Sequence, residues 1–212
     1  MKLSLGILVK EPIPGQVKTR LTPPLTADQA AELYRVALHE TVERMQTADY
    51  NVVLFCSGGQ TYFEKNFPKL LSIPQCKGDL GARMTAALDR LHKGGPAAAA
   101  LIGSDSPDLS LALIDAAFFT LKENDVVTIP ASDGGYVLIG SCHLHPELFQ
   151  NIDWSTDQVL TQTRQRAAAA GLVYTEYGQW EDIDDIVSLQ RLLERSPDSK
   201  TARYARQQLS QY

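Results

Sequence analysis

Short runs of β-forming residues alternate along this chain with longer stretches of helical periodicity, and no other feature restricts its fold as much. The runs are Leu3 to Val9, Val52 to Cys56, Ala97 to Ile102, Val126 to Ile129, Tyr136 to Gly140 and Leu172 to Thr175. Such alternation predicts an α/β domain, a mainly parallel sheet covered by helices. A length of 212 residues suits one domain, so residues 1–212 read as a single unit with a helical C-terminal tail from about 185. Thr26-Ala27-Asp28-Gln29 has capping-box spacing and opens a helix expected to reach about Thr47. Ser155-Thr156-Asp157-Gln158 has the same spacing, before a helix that ends at Gly171. A further helix is expected from Asp184 or Asp185. The last one has Ser196 as its cap, Pro197 at its first position and its end at Tyr212. The segments Lys10 to Leu25 and Asn66 to Leu80 read as long loops, the usual place for function on such a scaffold.

Composition narrows the function classes. With 44% hydrophobic and 21% charged residues, and no apolar run near the ~18–20 residues that span a bilayer, the chain is expected to be soluble. The apolar stretch after Met1 and Lys2 is too short for a signal peptide and lacks a cleavage site, so it reads as a core strand. Cys56, Cys76 and Cys142 are an odd number without a CxxC spacing, which argues against a disulfide framework or a structural zinc site and predicts a reducing cytoplasm. Cys142-His143-Leu144-His145 lacks a fourth ligand at finger-like spacing and reads as a surface turn. A net charge of −5 advertises neither nucleic-acid nor membrane binding. Against it, Lys10, Lys18 and Arg20 face only Glu11 within residues 10–20, a local positive site for a small anion.

Five motifs can carry chemistry. Lys10-Glu11-Pro12-Ile13-Pro14-Gly15-Gln16-Val17-Lys18-Thr19-Arg20-Leu21 follows the first strand, where open α/β sheets bind ligands. Pro12 and Val17 stand where a Walker A loop needs glycine, but Lys18 and Arg20 suit phosphate oxygens; the alternative is a solvated basic loop. Gly78-Asp79-Leu80-Gly81-Ala82-Arg83-Met84 leads into a helix whose free N–H groups can hold an anion. In Leu101-Ile102-Gly103-Ser104-Asp105-Ser106-Pro107-Asp108-Leu109 an apolar strand ends in a carboxylate, a ligand suited to Mg2+ or Mn2+. Asp133-Gly134-Gly135-Tyr136 permits close backbone approach to a ligand, and is equally a hairpin turn. Trp180-Glu181-Asp182-Ile183-Asp184-Asp185 sets four carboxylates before a helix, where capping alone accounts for acids.

In their order along the chain these motifs, with Trp154-Ser155-Thr156, resemble the small bacterial nucleotide-diphospho-sugar transferases labelled arsenosugar-biosynthesis-type glycosyltransferases. The resemblance implies a GT-A-like, Rossmann-type sheet related to the molybdenum-cofactor and 2-phospholactate guanylyltransferases. It implies a nucleotide or nucleotide-sugar ligand, a small-molecule acceptor and a Mg2+ or Mn2+ cofactor held by Asp105 and Asp184. Asp182-Ile183-Asp184 is similar to a late Asp-Ile-Asp-Thr-Pro element of that group, with Asp185-Ile186 replacing Thr-Pro. By the same resemblance Lys18 and Arg20 neutralise phosphate, Lys10, Asp79 and Arg83 help bind nucleotide, and Gly134, Gly135, Tyr136, Trp154, Ser155 and Thr156 line the acceptor side. Asp133 is the candidate general base. Glycosyl transfer is the leading expectation; the alternatives are nucleotidyl transfer with pyrophosphate release and a non-catalytic nucleotide-binding module.

Overall fold

The computed structural model describes residues 3–210, so Met1, Lys2 and the expected helix end at Tyr212 lie outside the described residues. Seven strands form one sheet: β1 (Leu3–Lys10), β2 (Tyr50–Ser57), β3 (Leu71–Pro74), β4 (Ala98–Gly103), β5 (Val126–Pro130), β6 (Tyr136–Ser141) and β7 (Tyr174–Glu176), in the order β3-β2-β1-β4-β6-β5-β7. Leu5 of β1 pairs with Val52 on one side and Ala100 on the other, both in parallel. Only β6 is reversed, antiparallel to both β4 and β5. The reason is local: residues 131–135 are too few for a crossover, which needs a dozen or so, so Asp-Gly-Gly turns a hairpin at the carboxyl end of β5.

The helices are α1 (Ala27–Met45), α2 (Gln60–Asn66), α3 (Leu80–His92), α4 (Leu111–Thr120), α5 (Val159–Ala169), α6 (Ile186–Arg195) and α7 (Lys200–Leu209). Strand side chains alternate between faces. Leu5, Ile7, Leu54 and Ala100 pack on α1, α2 and α4, while Val53, Phe55, Ala99 and Leu101 pack on α3 and α5. The outer flank of α1 buries Ala30 and Leu33 against Leu21 and Leu25 and against Leu189, Leu192, Ala202 and Ala205 of α6 and α7. The expected α/β class and mainly parallel sheet are therefore borne out.

Three local expectations are corrected. The loop expected over Asn66 to Leu80 contains β3, a four-residue edge strand ended by Pro74 and too short to show a period. No capping box forms at Ser155, which adopts a left-handed φ of 66°; α5 starts later, with Gln158 as its cap, because the preceding loop is docked on the β5–β6 hairpin. Ser196 ends α6 rather than opening α7. The α7 cap is Ser199, whose hydroxyl accepts from Ala202 N.

Glu40 of α1 completes that helix start. Its carboxylate, 8% exposed, accepts from Lys200 N at 2.9 Å and from both the N–H and hydroxyl of Thr201 at 2.9 and 2.7 Å. Glu40→Ala strands these donors, and urea unfolding is expected to show a loss of about 2–4 kcal/mol. A loss below ~0.5 kcal/mol would mean that water replaces the carboxylate and that α7 does not depend on it.

Candidate functional site

The chain leaves β1 at Lys10 and returns through a 3-10 turn, Thr19–Leu21, whose Leu21 is buried under α6. Lys18 precedes that turn in a left-handed conformation, φ 49°. Its side chain is only 7% exposed, with Nζ 2.6 Å from Asp105 Oδ1 and donating to the carbonyl of Ile183. One ammonium thus joins the loop after β1, the loop after β4 and the acidic segment before α6. Below it, the buried Tyr34 hydroxyl of α1 accepts from Lys10 N at 2.9 Å and shares a 2.7 Å hydrogen bond with Ser104 Oγ. Burial, reinforced by the charge on Asp105, holds this phenol well above its ordinary pKa, so Tyr34 clamps the ends of β1 and β4 in its neutral form.

The four acids before α6 do four different things. Glu181 pairs with Arg191 and Arg195, Asp185 caps α6, and Asp184 meets Arg20 at 2.5 Å in an exposed ion pair. Asp182 faces the cavity. Burial, and then the charges of Asp105 and Asp133, raise it to about 6, with Lys18 opposing. The capping alternative is thus met by Asp185 alone, which leaves Asp182 and Asp184 at the cavity wall. The backbone fixes this segment: Ile183 N donates to Asp105 O at 2.9 Å.

A second tie was not foreseen from the sequence. Asp108, 6% exposed, accepts from Arg195 Nε and Nη2 at 2.7 and 3.1 Å and from Ser196 Oγ at 2.7 Å, while Arg195 also donates to Glu181 O at 2.8 Å. A bidentate pair fixes orientation as well as distance, so Asp108 and Arg195 hold the Asp105 loop and the acidic segment in register. The only signal for it was a second aspartate three positions after Asp105. Its partner Arg195, 87 residues further on, has no spacing to read.

Two chambers open on this edge, one of about 200 Å³ around Lys10, Lys18, Arg20, Asp105 and Asp184, the other of about 530 Å³. The larger shares Lys10, Arg20, Asp105 and Asp184 and adds Asp182, Asp133, Gly135, Tyr136, Trp154, Ser155 and Thr156. Three expected contact residues stay off these walls. Asp79 caps α3 through Ala82 N at 2.8 Å, and Arg83 turns back to Gly78 O at 3.1 Å. Gly134, at φ 88°, serves packing: a Cβ there would lie 2.3 Å from Asp157 O. Gly81 does likewise, since its Cβ would sit 2.8 Å from the Trp154 ring, so the motif glycines seat the Trp154 to Asp157 loop. Tyr136 offers the cavity its ring and directs its hydroxyl to Met84 Sδ at 4.0 Å. Among the described residues no three His, Cys, Asp or Glu side chains are grouped closely enough to hold a metal ion. A cation here would depend on ligand oxygens as well as on the two or three carboxylates.

A family profile described as "Uncharacterized protein conserved in bacteria (DUF2064)" matches residues 38–156, more than half of the chain. The chain belongs to this family. No curated protein sequence matches it. Among solved structures it is similar to one from Desulfovibrio desulfuricans G20 provisionally described as a nucleotide-diphospho-sugar transferase, at 29% identity and TM-score 0.90, over 99% of this chain and 96% of that one. It also resembles Rv0371c from Mycobacterium tuberculosis H37Rv in complex with manganese, at 14% identity and TM-score 0.57, over 92% of this chain and 100% of the other. Molybdopterin-guanine dinucleotide biosynthesis protein A from Archaeoglobus fulgidus is similar at 12% identity and TM-score 0.58, over 90% and 97%. The last two show the fold alone. The DUF2064 chain thus has the nucleotide-diphospho-sugar transferase fold that its motifs pointed to.

Crowding of Asp182 with Asp105 and Asp133 has a measurable sign. A carboxyl held at about 6, above its ordinary 3.8, contributes stability below the lower value that is lost as pH rises through the upper one. Asp182→Asn is therefore expected to raise Tm at pH 7.5 and to do so less at pH 5. Discounted for partial solvent exposure, the gain is ~1 kcal/mol, or about 2–4 °C. An equal or lower Tm at pH 7.5 would remove Asp182 from the carboxylate cluster.

Proposed function

We propose that this chain is a transferase that binds a nucleoside diphosphate sugar together with Mg2+ or Mn2+ and passes the glycosyl group to a small acceptor. The observation that carries this reading is the buried Lys18 ammonium on Asp105, with Lys10 and Arg20 in the same small chamber. Three cations beside carboxylates at the carboxyl edge of a parallel sheet suit a diphosphate with a hard divalent ion. The 29% identity to the Desulfovibrio protein over almost the full length of both chains supports it.

The donor set fits such an ion: Asp105 and Asp184, with Asp182 beside them, offer only hard oxygen, and a bound diphosphate would have to supply further oxygens. Such a cation, held by Asp105 and Asp184, would supply positive charge to the departing diphosphate. The remaining work belongs to the chain. Lys18, Lys10 and Arg20 bind phosphate oxygens. Asp133, fixed in an Asx turn by Gly135 N at 2.9 Å, takes the proton of the attacking acceptor. Gly135, Tyr136, Trp154, Ser155 and Thr156 wall the acceptor side. The three cysteines are free and no described helix is long and apolar enough to cross a membrane, in keeping with a cytoplasmic site of action.

The product identifies the reaction. Incubation with nucleotide sugars and Mn2+ should release nucleoside diphosphate; pyrophosphate from a nucleoside triphosphate would assign nucleotidyl transfer instead. For binding, Lys18→Ala should weaken nucleoside diphosphate affinity about 10- to 150-fold, the worth of a charge-assisted hydrogen bond of ~1.5–3 kcal/mol. Arg20, whose side chain is 70% exposed, should matter only about 2- to 5-fold. Calorimetry showing no loss for Lys18→Ala would leave the loop after β1 a solvated basic loop.

A further inference from the structure

The larger chamber is asymmetric. Its wall follows the sheet order β1-β4-β6, and the charges change along it. On the β1 side stand Lys10 and Arg20, the only Lys, Arg or His side chains among its lining residues. The middle, at the end of β4, has Asp105 with Asp182 and Asp184. The β6 side carries Asp133 and Asp157 as its charged groups, over an apolar floor of Leu80, Met84, Val137, Trp154 and Val159. Leu80, the first residue of α3, remains 41% exposed there. An exposed leucine on a concave apolar floor is a contact for a ligand's apolar part.

Neither Asp133 nor Asp157 forms an ion pair among the described residues. Each is engaged only locally: Asp133 accepts from Gly135 N, and Asp157 from Gln158 Nε2 at 3.0 Å. On the β1 side, Lys10, Lys18 and Arg20, with a divalent ion when one is bound, would offset a diphosphate and the three central carboxylates. The β6 side has no such offset. A phosphate or carboxylate on the acceptor would face two carboxylates that no Lys, Arg or His pairs with among the described residues, and like-charge juxtaposition is strongly disfavoured.

Resting on the transferase reading above, we propose that the acceptor is an amphipathic amine, its cationic end at Asp133 and Asp157 and its apolar part on Leu80, Met84 and Trp154. A hydroxyl of this acceptor attacks the anomeric carbon of the donor sugar. The bond from that carbon to the diphosphate oxygen breaks, the proton leaves to Asp133, and nucleoside diphosphate departs. Phosphate-bearing acceptors are rejected, which separates this site from one that joins a nucleotide to a phosphate.

The test uses the full chain with Mn2+ and the nucleoside diphosphate that gives the largest thermal shift in a screen of uridine, guanosine, cytidine and adenosine diphosphates. The resulting complex is titrated with hexylamine, hexanol and hexyl phosphate. Hexylamine should bind at least roughly tenfold more tightly than hexyl phosphate, with hexanol between them. Asp157→Asn should cut the amine preference at least ~3-fold while hexanol affinity stays unchanged. Hexyl phosphate binding as tightly as hexylamine, or more tightly, overturns the acceptor assignment and leaves the nucleotide reading standing. An amine preference that Asp157→Asn does not alter overturns the placement of the cationic end. Failure of every nucleotide to bind removes the transferase reading and this inference with it.

Discussion

The ion pair of Lys18 with Asp105 is the contact on which the site depends. Removing an ammonium from water is costly, and for Lys18, 7% exposed, the cost is offset by Asp105 and by the Ile183 carbonyl. Lys18 also donates to Ile183 O, Ile183 N donates back to Asp105 O, and Asp105 follows the end of β4, a central strand flanked by β1 and β6. Two loops are thereby closed on one another, through residues 165 positions apart, without a covalent link. A cation-bearing loop and an acidic loop thus meet at one point, with the Lys18 ammonium shielded and the Asp105 carboxylate still reachable from the cavity.

Around that pair the molecule spends its other polar contacts on rigidity. Tyr34 couples β1 to β4 from below, and the Asp108–Arg195 pair couples the Asp105 loop to α6. Each ties a strand end or loop to a helix packed on the core, so cavity groups rest on packed elements. The result is a charge gradient along the edge of the sheet, from the cations after β1 to the carboxylates beside β6. A donor and an acceptor of different chemistry can be told apart along such an edge.

Much of this was readable in the sequence because its signals were periodic or contiguous. Six of the seven strands, the cap at Thr26 and the convergence of the loops after β1 and β4 follow from apolar runs and from the rule that parallel sheets bind ligands at their carboxyl edge. What stayed hidden depends on three-dimensional partners. Asp79 and Gly134 were read as ligand contacts because caps, tight packing and binding all favour the same residue types. Asp182 could not be ranked above Asp184, since the two flank a buried Ile183 symmetrically in the sequence. Only the placement of Asp133 and Asp105 shows which of them is crowded. Arg195 was silent because a long-range bidentate pair leaves no local pattern.

In the transferase reading Asp105 would help hold the divalent ion that accompanies the nucleoside diphosphate. Titrating nucleoside diphosphate into wild type and Asp105→Asn, with and without Mn2+, tests it most directly. Asn keeps an oxygen acceptor for Lys18, so the variant should fold and melt near the wild type. Its nucleotide affinity should no longer respond to Mn2+, while that of the wild type rises with the ion. A folded Asp105→Asn protein whose nucleotide affinity still rises with Mn2+ as in the wild type would contradict the account.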